Sequence, residues 1–141
     1  MTQQLDLDLA RRVLAAQPFS TLLGAEVTAF GDGRATLRLR IEERHRQQYG
    51  LVHGGVHAYL ADNALTFAAG SVLGPSVLTA GVSVNYVAGA RTGTLEARAR
   101  VVHHDRRHAV CVVEIDVVDG ERSRLCAVAP GTIMATGTDS G

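Results

Sequence analysis

Residues Gln47 to Phe67 read Gln-Gln-Tyr-Gly-Leu-Val-His-Gly-Gly-Val-His-Ala-Tyr-Leu-Ala-Asp-Asn-Ala-Leu-Thr-Phe, and the fold turns on this stretch. It opens as a polar loop around Gly50, reaches His53-Gly54-Gly55 and continues in helix formers. Ala58, Leu60, Ala61, Ala64, Leu65, Ala68 and Ala69 favour the α conformation, and no proline intervenes before Pro75. The segment is apolar on nearly every side, the pattern of a buried helix and not of a surface one. Between Gln47 and Ala90, Asp62 is the only formally charged residue. A carboxylate alone on a buried helix is costly unless it is paired, hydrogen-bonded or functional, so Asp62 is the strongest functional pointer in the chain.

The spacing predicts a helix from about Gly54 to Leu73, roughly 30 Å long. Before it, Leu5 to Gln17 has the period of a short amphipathic helix that Pro18 ends. Leu22 to Phe30 is a candidate strand, Gly31-Asp32-Gly33 a tight turn, and Arg34 to Ile41 a cleanly alternating, half-buried strand. Glu42 to Arg46 reads as a charged, solvated loop. After the helix, strands are expected over Val77–Val87, Thr94–Val102, His108–Val118 and Arg122–Met134, with turns at Gly89–Gly93, Asp105–Arg107 and Asp119-Gly120. Pro130 implies an edge position or a bulge. Residues 135–141 are expected to fray, and residues 1–18 to form an N-terminal helix on a single domain spanning 1–141. The lack of βαβ alternation argues against a parallel sheet and for an α+β arrangement, one antiparallel sheet wrapped around one apolar helix.

Composition narrows the partners. Fourteen basic and fourteen acidic residues cancel, which points away from nucleic acid and from anionic membranes. The uncharged run after Asp62 is cut by Gly74-Pro75 and dotted with Ser and Thr, too interrupted for a spanning helix. The N-terminus lacks the basic-then-apolar order of a signal peptide, so the expectation is a soluble cytoplasmic protein. Cys111 and Cys126 lie in apolar β-like runs and read as buried free thiols. No Cys/His cluster has zinc spacing, and His103-His104 on a strand point to opposite faces, so no metal is expected.

The chemistry available is concentrated near one helix start. Its free N–H groups carry partial positive charge, and glycines at positions 54 and 55 let a ligand approach the backbone. Such donors suit an oxyanion hole. Asp62 suits a general base or a nucleophile, and the Gln47 amide can hold a carbonyl or a water. Each residue also has a structural reading: His53 fixing the loop, the glycines permitting close packing, Gln47 lying on the surface, Thr66 satisfying Asp62 from one turn on, and Asp62 as a structural acid. Asp62 and Gly55 stand seven residues apart on nearly one helix face, about 10 Å along the axis, too far to act on one carbonyl. Two such helices packed antiparallel across a twofold axis would remove the conflict.

The pattern Gln47-x-x-Gly50-x-x-His53-Gly54-Gly55, followed by Asp62, resembles the hot-dog-fold acyl-CoA thioesterases, in particular the phenylacetate-pathway and enterobactin-pathway type. Thr79-x-Gly-Val-Ser-Val-Asn-Tyr and the turn Ala90-Arg91-x-Gly93 are similar to the family's next strand and turn, although the proline often found before Ala90 is missing. The resemblance covers roughly Leu22 to Met134. It implies a hot-dog fold, dimers or dimers of dimers, and hydrolysis of an aromatic or medium-chain acyl-CoA. It implies Asp62 as catalytic acid/base or nucleophile, a Gly54 N–H polarising the thioester carbonyl, Gln47 where the family has Asn or Gln, and His53 orienting the loop. Thr66 or Thr79 would position water or Asp62. Gly55 and Tyr59 would meet substrate, and Arg91, Arg106 and Arg107, in turns, would meet the phosphates of coenzyme A. Coenzyme A would enter as part of the substrate, with no separate cofactor. The other classes considered are a hot-dog dehydratase or hydratase, whose His-Phe-Pro-type motif is absent, and a non-catalytic acyl-CoA-binding module.

Overall fold

The computed structural model describes residues 5–136. Helix α1 (Leu7–Ala15) is capped by Asp6, whose carboxylate accepts from the Leu9 N–H at 3.0 Å. Pro18 does not simply end the preceding helix as expected. It opens a second short helix, α2 (Pro18–Leu23), from the first-turn position where proline's missing N–H costs nothing, and Gly24 closes it in the left-handed conformation. Strand β1 therefore begins at Glu26 and not at Leu22.

The sheet runs in the order β1 (Glu26–Gly31), β2 (Arg34–Arg40), β5 (Thr94–His104), β6 (His108–Asp119), β7 (Arg122–Ala135), β3 (Val77–Val82), and the two-residue β4 (Asn85–Tyr86) also pairs with β7. All pairings are antiparallel. Asp32 and Gly33 both take positive φ, which joins β1 to β2 by a two-residue turn. Helix α3 (Gly54–Leu73) lies in the curl of the sheet and packs against β1, β2, β3, β5, β6 and β7. Leu60, Ala61, Ala64, Leu65, Ala68 and Ala69 meet the inward side chains of the strands, among them Leu37, Leu39, Leu95, Val113, Ile115 and Ile133. This is the hot-dog arrangement that the resemblance implies.

Several expectations need correction. The predicted strand 77–87 is two strands, because the pairing with β7 shifts register between Thr79 and Gly81 and lapses before Asn85. Pro130 is neither at a sheet edge nor at a bulge. It pairs with Val112 of β6 on one side. Its carbonyl accepts from Ser83, in the gap between β3 and β4 where no ladder N–H is required. The loop after β2 is not merely solvated. It holds a 3-10 turn (Glu43–His45) in which His45 is buried, its Nδ1 accepting from the Glu42 N–H and its Nε2 meeting the Leu23 carbonyl at 2.8 Å. Ala135 and Thr136 do not fray. Their N–H groups bond the carbonyls of Arg107 and Ser76. Residues 137–141 of that expected tail lie outside the described residues. Cys111 and Cys126 are buried free thiols, and burial pushes the Cys111 thiol up to about 11. Among the described residues no helix is long and apolar enough to cross a membrane.

Candidate active site

His53 is the N-cap of α3, with extended backbone angles, and its Nδ1 accepts from the Gly55 N–H at 2.8 Å. Accepting there puts the neutral ring's proton on Nε2. The Val56 N–H bonds the His53 carbonyl, and the Gly54 N–H has no acceptor among the described residues. The loop before it is tied down on both sides: the His53 N–H bonds the His45 carbonyl, the Val52 N–H bonds Ala90, and Arg46 donates twice to the Arg91 carbonyl. Gln47 is half-buried, and its Oε1 accepts from the N–H groups of Tyr49 and Leu51 while its amide NH2 has no partner among the described residues. Gly50 takes φ +85, which a side chain would strain.

Tyr86, on β4, leans over this start. Its hydroxyl donates to the Gly54 carbonyl at 2.9 Å, and a Cβ built on Gly54 would stand 3.2 Å from that hydroxyl. A methyl group at position 54 would crowd the tyrosine, whose ring would have to give by a few tenths of an ångström. His57, one turn further on, packs edge to face against Tyr86 and is buried with its Nδ1 unpartnered, and desolvation lowers its pKa. Neither role was foreseen, since nothing in the sequence ties Tyr86 to Gly54.

The second part lies about 12 Å further along the helix, eight residues at the usual rise. Here α3 is not buried all round. Ala58, Tyr59, Asp62, Asn63 and Thr66 form a half-exposed face. Asp62 Oδ1 accepts from the Thr79 hydroxyl of β3 at 2.5 Å, and Oδ2 has no partner among the described residues. Thr66 does not satisfy the carboxylate. It back-bonds the Asp62 main-chain carbonyl at 2.8 Å and lies 3.2 Å from the Thr79 hydroxyl. The sequence reading missed Asn63. Its amide donates to Gln17, Ser20 and Tyr59, while the Tyr59 hydroxyl donates to Ser20 at 2.6 Å, a network that ties α2 to α3.

Asp62, Thr66, Thr79, Tyr59 and Asn63 line one cleft of about 500 Å³. Beside it, between α1 and α3, is a pocket of about 180 Å³ walled by Leu9, Val13, Phe30, Phe67 and Val77, with the two phenylalanine rings edge to face at 6.4 Å. Gln17, Asn63, Thr66 and Val77 border both spaces. The helix start with Gln47, His53, Gly54 and Gly55 is not part of this cleft. Arg91 stands near the helix start, its Nη1 donating to the Tyr49 carbonyl at 3.3 Å. Arg106 and Arg107 occupy the β5–β6 hairpin at the far end of β5, and one chain does not bring them to Arg91.

Comparison with known proteins agrees with this architecture. The thioesterase superfamily family model matches residues 49–124. A 1,4-dihydroxy-2-naphthoyl-CoA hydrolase of Listeria monocytogenes is 28% identical over 106 residues, 74% of this chain and 85% of the relative. A thioesterase family protein of Silicibacter pomeroyi superimposes with a TM-score of 0.83 at 28% identity, covering 88% of this chain and 93% of that one. The PaaI protein from the phenylacetic acid degradation operon of Escherichia coli shares the fold, with a TM-score of 0.82 over 91% of each chain at 21% identity. The chain belongs to the thioesterase superfamily and is an enzyme of the hydrolase class.

Proposed function

We propose that the protein hydrolyses the thioester of an aromatic or medium-chain acyl-CoA, in active sites shared between two copies of the chain. The observation that carries this reading is the Asp62 carboxylate: one oxygen is held by Thr79 and the other is free of protein partners among the described residues, in a cleft beside an apolar pocket. Asp62 takes a proton from water as the water oxygen bonds the thioester carbon. The carbonyl oxygen becomes an oxyanion facing the Gly54 N–H and the helix's positive end. The C–S bond then breaks, and the thiolate of coenzyme A leaves and takes up a proton. Direct attack by Asp62, with water then hydrolysing the anhydride, uses the same groups. Coenzyme A enters as part of the substrate.

Sharing follows from the helix itself. A carbonyl cannot be within hydrogen-bond range of both Gly54 and Asp62 across about 12 Å of one helix. An antiparallel partner helix across a twofold axis supplies the missing group, and the half-exposed face carrying Ala58, Asp62 and Thr66 is available for it. Gln47 then works beside Gly54 of its own chain. The apolar pocket supports the acyl class, since about 150 Å³ of dry cavity is enough for one benzene ring.

The test is release of free coenzyme A, read with a thiol reagent, from benzoyl-, phenylacetyl-, hexanoyl-, octanoyl- and palmitoyl-CoA. The expected result is turnover of the single-ring and six- to eight-carbon substrates well above palmitoyl-CoA. Absence of release from any of them, with the protein folded, removes the hydrolase reading. Binding without release would instead favour a non-catalytic acyl-CoA module.

A further inference from the structure

Resting on the acyl-CoA reading above, we propose that Gly70 sets the depth of the apolar pocket, and with it the longest acyl chain that the enzyme turns over efficiently. Asn63, Thr66, Phe67 and Gly70 recur at helical spacing, so α3 offers them to the pocket as one stripe. Gln17, Asn63, Thr66 and Val77 also border the cleft of Asp62, whereas Gly70 borders the pocket alone. Asn63 and Gly70 stand seven residues apart, about 10 Å along the axis. The mouth of the pocket is therefore level with Asp62, and its floor is at Gly70.

Packing does not account for a glycine here. Gly70 is buried, and it is the one glycine of α3 beyond the first turn. Its φ is negative, open to any residue. Glycine is, after proline, the least favourable residue in a helix interior, and alanine the most favourable. The neighbouring small positions of the same helix, Ala64, Ala68 and Ala69, are buried alanines. Apart from its own helix backbone and chain neighbours, a Cβ added at Gly70 would meet one heavy atom within 4 Å, Val77 Cγ2 at 3.9 Å, an ordinary contact. Gly131 of β7 is the contrasting case. A Cβ there would stand 2.7 Å from Leu65 Cδ1 and 3.0 Å from the Gly81 carbonyl oxygen, so packing itself demands glycine.

What a methyl group at position 70 would take up is room in the pocket. That room is about 180 Å³, little more than the roughly 150 Å³ of dry cavity that admits one benzene ring. The other walls are large side chains, and Phe30 and Phe67 hold each other edge to face, so they cannot easily give way. An acyl chain whose carbonyl lies at the level of Asp62 enters past Thr66 and ends against Gly70. One methylene too many in an apolar pocket costs about 10- to 200-fold in discrimination. A single methyl at the floor is thus enough to move the limit of chain length.

The test measures kcat/KM for straight-chain acyl-CoAs, in two-carbon steps from butanoyl to dodecanoyl, with wild type and Gly70→Ala. The variant should unfold at the wild-type temperature or above it, since alanine favours the helix. The ratio of kcat/KM for the longest chain that wild type uses well to that for butanoyl-CoA should fall at least about tenfold. Adding Val77→Ala, which trims the side chain facing the new methyl, should recover part of that ratio. An unchanged ratio overturns the role of Gly70. A loss spread evenly over all chain lengths also overturns it, because a merely structural residue would behave so. In both cases turnover by wild type leaves the hydrolase reading standing. If wild type hydrolyses none of the series, calorimetric binding of 1-butanol to 1-decanol decides instead. Weaker binding of the longer alcohols to Gly70→Ala, relative to 1-butanol, would uphold the depth set by Gly70 and sink the hydrolase reading. Equal profiles, or no binding to wild type, would sink both.

Discussion

The Thr79 hydroxyl donates to Asp62 Oδ1 across the boundary between β3 and α3. This bond fixes which carboxylate oxygen is occupied and leaves the other turned to the cleft. It also joins the sheet's edge strand to the middle of the central helix. Thr79→Val keeps the shape and deletes the donor. The expected outcome is a roughly tenfold lower kcat with little change in KM, and a stability loss of about 1.5–3 kcal/mol, the range for a hydrogen bond to a charged group. Steady-state kinetics and urea unfolding check both; unchanged kcat would leave Thr79 a structural partner only.

Asp62→Asn is nearly isosteric and keeps an acceptor for Thr79. Loss of a general base typically costs about 10²- to 10⁴-fold in rate, and this variant should fall in that range with its fold intact by circular dichroism. Near-normal turnover would remove Asp62 from the chemistry.

Gly54→Ala places a methyl group against the Tyr86 ring and hydroxyl. The variant should lose activity because Tyr86 or the helix start must move, and Tyr86→Ala should restore part of it when the two changes are combined. The double-mutant cycle should show a coupling of at least about 0.5 kcal/mol. Strict additivity in kcat/KM would mean that the tyrosine does not dictate the glycine.

The shared site predicts complementation. Asp62→Ala and Gln47→Ala chains should each be inactive alone. In a mixed pair one site collects both defects and the other neither, so co-expressed and purified mixed assemblies should recover up to one working site per pair. Mixed assemblies as inactive as both parents would contradict sharing.

Burial lowers the pKa of His57, so the unfolded chain binds a proton more readily than the native one. Stability then rises with pH across the window below the ordinary value of 6.5, by up to about 1.4 kcal/mol per pH unit from this one group. The contribution is present above pH 6.5 and is lost as pH falls toward the lowered native value. Chemical denaturation at pH 7.5 and 5.5 should show a smaller loss for His57→Gln than for wild type. An equal loss in both would exclude His57 as a source of the acid sensitivity.

The sequence by itself determined the long helix from Gly54 to Leu73, an antiparallel sheet wrapped around it, and Asp62 as the one formal charge on that helix. These are local matters: period, helix propensity, glycine and proline punctuation, and the cost of a charge on an apolar segment. What failed at this level also failed for local reasons. Pro18 has the same conformational preference at a helix start as after a helix end, and Pro130 faces a gap in the neighbouring strands that no property of its own segment reveals. The tertiary structure alone decided that Thr79 and not Thr66 holds the Asp62 carboxylate, that Tyr86 packs over Gly54, and that Arg122 and Arg124 share a cleft with Arg91 while Arg106 and Arg107 do not. Each of those pairings joins residues distant in the chain. Side-chain contacts of that kind depend on strand register and on how the sheet curls about the helix, which hydrophobic pattern constrains only to a face and not to a partner.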